Sequence, residues 1–258
     1  MKLTAFATAT LFALSLAAHA QTSAPAAKAP TTAPAAALPV QPPDVPAIKV
    51  GPDGKPNASF MAAHDRFVKI AQAGDVDLLF LGDSITAGWG RQRAIWEKSF
   101  GPYKPANFGI GGDRTQHVLW RILNGELDGA IKPKGVVLMI GTNNSATDSA
   151  EGIAKGVTLI VETIRAKQPQ AKILLLAVFP RGEKAEANDR RVKLKEVNAI
   201  IAKLDDGKNV HYLDIGDKFL QADGTLTKEI MPDFLHLSAA GYQIWADAIT
   251  PKLTELMK

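Results

Sequence analysis

The stretch Val76-Asp77-Leu78-Leu79-Phe80-Leu81-Gly82-Asp83-Ser84-Ile85-Thr86 decides the fold. A short apolar run closed by a glycine reads as a strand covered on both faces, and a polar turn follows at once. The pattern recurs downstream. Residues 135–140 form a run ending at Gly141, residues 172–178 form one ending at Pro180, and residues 210–213 form a shorter, weaker fourth. Between the runs, apolar residues return at helical spacing. Residues 59–72 carry Phe60, Phe67, Val68 and Ala71, with Asn57 as a candidate cap, and Val118, Leu119 and Ile122 lead a short helix. Residues 153–167 repeat Val157, Ile160, Val161 and Ile164, and residues 192–204 and 239–257 do the same, the last interrupted by Pro251. This alternation predicts an α/β fold: a three-layer α/β/α sandwich around a mainly parallel, flavodoxin-like sheet. Sites in such sheets lie outside the carboxyl ends of the strands.

The 258 residues are 46% hydrophobic and 22% charged, an ordinary balance for a chain that buries a real core. The formal net charge of +4 is modest, and Lys and Arg are interspersed with Asp and Glu. That pattern excludes the concentrated basic face of a nucleic-acid binder. With no cysteine, disulfides, thiolate metal sites, a cysteine nucleophile and lipid attachment through an N-terminal cysteine are excluded too.

The amino-terminal segment reads as an export signal. Lys2 supplies the positive region, residues 3–18 the apolar one, and Ala18-His19-Ala20 the cleavage site. The apolar stretch is shorter than the ~20 residues that span a bilayer. Residues 1–20 are therefore expected to be a cleaved signal peptide, delivering the protein to the periplasm or the medium. Residues 21–47 are mostly Ala, Pro and Thr, a composition that predicts an extended, disordered tether. The folded domain is expected over residues 48–258.

Four polar or glycine-rich segments stand where a plain connector would need only turn chemistry. They are Gly82-Asp83-Ser84-Ile85-Thr86, Asn107-Phe108-Gly109-Ile110-Gly111-Gly112-Asp113, Gly141-Thr142-Asn143-Asn144 and Asp233-Phe234-Leu235-His236. In order, spacing and context they resemble the SGNH (GDSL-type) hydrolase family. The likeness is strongest to the catalytic subunits of platelet-activating-factor acetylhydrolase type IB, through His117-Val118-Leu119-Trp120-Arg121, Asn124-Gly125-Glu126-Leu127 and Pro180-Arg181-Gly182-Glu183-Lys184 as well. It extends from about Val76 to the C-terminus.

The resemblance implies a serine esterase with a triad of Ser84, Asp233 and His236. It also implies oxyanion donors from the backbone N–H of Ser84, the backbone N–H of Gly112 and the side-chain amide of Asn143. The residues' own chemistry fits these roles. A serine hydroxyl needs a base, His236 is the natural one, and Asp233 three residues earlier can hold its Nδ1. A side chain at Gly112 would obstruct substrate approach to the backbone. An acetyl substrate follows from the resemblance, with acetylated carbohydrate favoured by export and short-chain lipid esters as runner-up. Acyl transfer to a sugar hydroxyl, and from another class a catalytically dead tethered binding module, are the alternatives. Oligomeric state is left open, and the partners of the acetylhydrolase subunits are not carried over.

Each residue also has a plain structural reading. Ser84 can be a helix cap, Asp83 a turn stabiliser, Asn143 a turn residue and His236 a packed histidine. His117 reads as packing, while His64 and His211 have no partner at catalytic spacing. Arg190, Arg191, Lys193 and Lys195 read as a solvated helix face. Two rival motifs fail: Arg114 occupies the final glycine position of a dinucleotide loop, and Thr86 that of the G-x-S-x-G elbow. No His and carboxylate cluster has metal spacing, so neither a metal nor a cofactor is expected.

Overall fold

The computed structural model describes residues 41–184 and 188–258. The predicted signal segment and residues 21–40 of the predicted tether lie outside them. Inside the sheet lies β1 (Leu78–Gly82), buried at every position. It pairs with β2 (Pro105–Gly109) on one side and β3 (Gly135–Met139) on the other. Beyond β3 come β4 (Lys172–Leu176) and β5 (Val210–Leu213), giving a five-stranded, wholly parallel sheet in the order β2-β1-β3-β4-β5.

Side-chain alternation along the strands builds two cores. Leu79, Leu81, Val136, Leu138, Ile173 and Leu175 face α1 (Ala58–Ala73), α4 (Thr115–Arg121), α5 (Ala150–Lys167) and α6 (Asp189–Ile201). Leu78, Phe80, Val137, Met139, Leu174 and Leu176 face α3 (Arg93–Phe100) and α7 (Ala239–Leu256). The tryptophans divide between the layers. Trp89 and Trp245 are buried with partly covered Trp96 on the second face, and Trp120 packs on the first. Among the described residues no helix is long and apolar enough to cross a membrane.

Several local expectations are corrected. No apolar run marks β2, because it is an edge strand that buries only Ala106 and Phe108. Pro105 is tolerated as its first residue, where no ladder donor is needed. Pro251 does not interrupt α7, which continues to Leu256 because Trp245, Ile249 and Leu253 are locked in the core. Arg191 is not on a solvated face: it is 1% exposed and donates from Nη2 to the Gly224 carbonyl at 2.6 Å. Lys193 likewise reaches the Ser145 carbonyl at 3.0 Å.

Residues 41–47, assigned to the tether by composition, dock on the domain. Thr115 Oγ1 donates to the Pro43 carbonyl at 2.6 Å, and Gln116 Nε2 to the Gln41 carbonyl at 3.2 Å. The Ala47 N–H returns a bond to Gln116 O at 3.1 Å, and Asp44 pairs with Lys155. Gly156 admits the arm, since a Cβ there would stand 2.4 Å from the Pro43 carbonyl. Composition predicted disorder, but the arm turns at residues 43–45, where Val45 N–H donates to the Pro42 carbonyl, and leaves the Pro43 and Gln41 carbonyls to accept from α4.

Candidate active site

Gly82 closes β1 because a Cβ there would meet the Met139 carbonyl at 2.5 Å. The chain then turns into a short helix, α2 (Ser84–Ala87), capped by Asp83, whose Oδ1 accepts the Ile85 N–H at 2.9 Å. Asp83 thus stabilises the turn, as one sequence reading had it. Its other oxygen, Oδ2, is buried without a partner, and burial pushes the carboxyl up to about 7. From α7, Tyr242 Oη donates to the Ile85 carbonyl at 2.6 Å and fixes α2 from behind.

Ser84 opens α2, with its Oγ 2.9 Å from His236 Nε2. The His236 ring is oriented by Asp233, whose Oδ2 lies 2.7 Å from Nδ1. Asp233 Oδ1 also accepts the backbone N–H groups of Leu235 and His236 at 3.1 and 2.7 Å. Burial pushes this carboxyl up, but the bonds from the His236 ring and backbone outweigh it, leaving Asp233 below the usual carboxylate range. An ionised Asp233 can only accept, so Nδ1 carries a proton, and in the neutral ring Nε2 is then the acceptor that faces the serine hydroxyl. The fold brings this serine and histidine together across 152 residues of sequence.

The oxyanion candidates sit on neighbouring loops at one level of the sheet. Gly82 is in register with Gly109 of β2 and with Met139 of β3, so the three loops leave adjacent strand ends together. Gly112 has φ +71°, the left-handed region that favours glycine. The N–H groups of Ser84 and Gly112 make no hydrogen bond within the described residues. Asn143 Nδ2 donates to the Asp113 carbonyl at 2.8 Å, tying the third loop to the second. Its neighbour Asn144 is a buried peg, accepting from Thr115 N and donating to Gln116 and Asp148.

Beneath these loops lies an ionic brace that the sequence did not announce. Arg121, wholly buried, pairs with Asp113 Oδ2 at 2.9 Å and with Glu126. It also donates to the carbonyls of Phe108 and Gly82, at 3.1 and 3.4 Å, holding the ends of β2 and β1. Glu126 Oε1 accepts from His64 Nδ1 at 2.9 Å, which gives that histidine a structural partner. His117 accepts the Arg114 N–H on Nδ1, and burial pushes it down to about 3, so it stays neutral. Arg181 reaches Thr142 O and Oγ1 at 3.1 and 3.2 Å, beside Asn143. Arg121 and Arg181 both lay inside quoted motifs, but nothing in their spacing assigned them partners.

Comparison with known proteins identifies the chain's family and fold. A model of the GDSL-like lipase/acylhydrolase family matches residues 80–244. Platelet-activating factor acetylhydrolase IB subunit alpha2 of Rattus norvegicus is 45% identical over 184 residues, covering 71% of this chain and 78% of that protein. The alpha1 subunit of Homo sapiens is 39% identical over 215 residues, 82% of this chain and 91% of its own. A GDSL-like lipase structure from Bacteroides thetaiotaomicron superimposes with a TM-score of 0.63 at 20% identity, covering 74% of this chain and 97% of that one, and so shares the fold. By sequence over most of its length, the chain belongs to the GDSL-like lipase/acylhydrolase family, a family of ester hydrolases.

Proposed function

We propose that the protein is an exported serine esterase that removes small acyl groups, acetyl foremost, through an acyl-serine on Ser84. The observation that carries the reading is the continuous relay Asp233–His236–Ser84, at 2.7 and 2.9 Å. His236 Nε2 takes the hydroxyl proton as Ser84 Oγ attacks the acyl carbon. The tetrahedral oxyanion is received by the N–H groups of Ser84 and Gly112 and by the Asn143 amide. Its collapse expels the alcohol, protonated by His236, and water repeats the sequence to release the acid. Asp233 holds the tautomer and stabilises the imidazolium throughout.

The acetyl preference is supported by relatives named as acetylhydrolases at 39–45% identity. The export signal read at residues 1–20 favours acetylated carbohydrate as the substrate. The names of those same relatives favour a second reading, an acetyl ester of a lipid. The presence and mutual contact of Ser84 and His236 argue against a catalytically dead binding module.

The test is a comparison of chromogenic acetate, butyrate and octanoate esters, acetylated xylan and an acetylated ether lipid on the protein and its variants. Ser84→Ala and His236→Ala should each lower kcat by about 10⁴–10⁶, and the double variant should be scarcely worse. A fluorophosphonate should label Ser84 alone. Additive losses, or labelling elsewhere, would reject the relay. A sugar hydroxyl offered as acceptor distinguishes transfer from hydrolysis by its acetylated product.

A further inference from the structure

The loop carrying Gly112 is held from outside by a residue of the amino-terminal arm. Lys49 lies between the docked residues 41–47 and α1, outside the span matched by the family model. Its backbone is pinned: the Lys49 carbonyl accepts Asn57 N–H at 2.8 Å, and Val50 bridges Pro56 in antiparallel fashion. The side chain passes over the Phe60 ring and is only 18% exposed. Its ammonium donates to the Gly111 carbonyl at 2.5 Å and to Asp113 Oδ1 at 3.1 Å.

Gly111 O and Gly112 N–H are the two ends of one peptide group. A cation bound at the carbonyl end draws electron density across the amide and makes its N–H a stronger donor, as in any polarised chain of hydrogen bonds. The ammonium also stands close to Gly112 itself, 3.3 Å from where a Cβ would be. Neutralising Asp113 does not account for this placement alone. Arg121 already occupies Asp113 Oδ2 at 2.9 Å, and the Lys49 contact with Gly111 is shorter than its contact with Asp113.

We propose that Lys49 is a positioning residue of the oxyanion hole, fixing and polarising the Gly111–Gly112 peptide so that the Gly112 N–H meets the developing oxyanion. The proposal rests on the reading of Gly112 as an oxyanion donor. Donors of this kind act on the transition state, so the lysine should influence kcat rather than substrate binding.

The experiment measures acetate-ester turnover, thermal melting and affinity for a trifluoromethyl ketone that forms an oxyanion on the serine. Lys49→Met should lower kcat about tenfold with KM nearly unchanged, as for loss of part of one oxyanion contact. Ketone affinity should fall by the same factor as kcat/KM, and Lys49→Arg should restore most of both. If Lys49→Met does not fold, Lys49→Gln carries the test, since it keeps a donor without the charge and should show the same pattern. An unchanged kcat, a loss confined to KM, or a lower melting temperature with unchanged ketone affinity overturns the proposal. Ser84→Ala separates the two levels: retained turnover there sinks the serine reading, whereas abolished turnover beside a silent Lys49 sinks only this one.

Discussion

The backbone N–H of Gly182 donates to the carbonyl of Phe234 at 2.9 Å, and Phe234 itself sits at φ +56°. The bond therefore holds a non-glycine residue in a conformation that it does not favour, directly after Asp233 and two residues before His236. Next door, Arg181 is bonded to Thr142. Together these two residues strap the histidine loop to the Asn143 loop.

Gly182→Ala should loosen the strap. Gly182 has φ +78°, and a Cβ there would meet the Asn188 amide, which caps α6, at 2.0 Å. The left-handed strain alone costs roughly 1–2 kcal/mol. Thermal melting should fall accordingly, and kcat should drop more than KM rises because His236 loses its fixed bearing. Unchanged kinetics in a destabilised variant would assign the strap to folding only.

Asn143→Ala should act on the transition state. The amide already bonds Asp113 O with one hydrogen, which fixes the direction of the other. Kcat should fall by about 10²–10³ with little change in KM, as for a single oxyanion donor. A rise in KM with kcat held would make Asn143 a ground-state contact.

Asp83→Asn gives a pH-dependent result. The folded carboxyl is raised from 3.8 to about 7, so the fold prefers it protonated. Its stabilising contribution is full below about pH 4 and is lost as pH rises to about 7, because the folded state then holds the extra proton less. Asparagine can keep the cap to Ile85 without ever ionising. The variant should melt close to the parent at pH 4 and above it at pH 8, by an amount on the order of 4 kcal/mol at most. A constant difference across that range would place the titration elsewhere.

Trimming the amino terminus separates tether from arm. A chain beginning at Gln41 should match one beginning at Gln21 in melting temperature and kcat. One beginning at Gly51 loses the bonds at Pro43, Gln41 and Ala47 together with Lys49. At about 1 kcal/mol for each hydrogen bond, it should melt lower, and its kcat should fall to that of Lys49→Met. Equal kcat in the two chains would show that the arm does not serve the site.

What the sequence disclosed was local or carried by the family pattern. The runs of β1, β3 and β4 are apolar because both faces are covered, and the segments around Ser84, Gly112, Asn143 and His236 follow strand ends or open a helix. What it concealed depends on contacts between distant segments, which leave no period. Arg191 stands among charged residues and looked solvated, yet the fold folds it inward onto Gly224. Lys49 reaches Gly111 across 62 residues, from a region whose composition suggested only a boundary. Arg121 fits a helix equally well as a surface charge or a buried brace, and only Asp113 and Glu126 decide.

The division of the indoles between the two layers makes the protein a two-channel optical reporter. Trp89 lies 5.0 Å from Trp245 and 5.7 Å from Trp96, close enough for these rings to share excitation and emit as one. Trp120 stands on the opposite layer against His64, at 4.9 Å, within α4, the helix that follows the Gly112 loop. Emission from a Trp120→Phe variant follows the α3/α7 layer alone, and its difference from the parent isolates the layer on which the arm docks. Loosening of the arm then becomes visible as a change in fluorescence before the other layer unfolds.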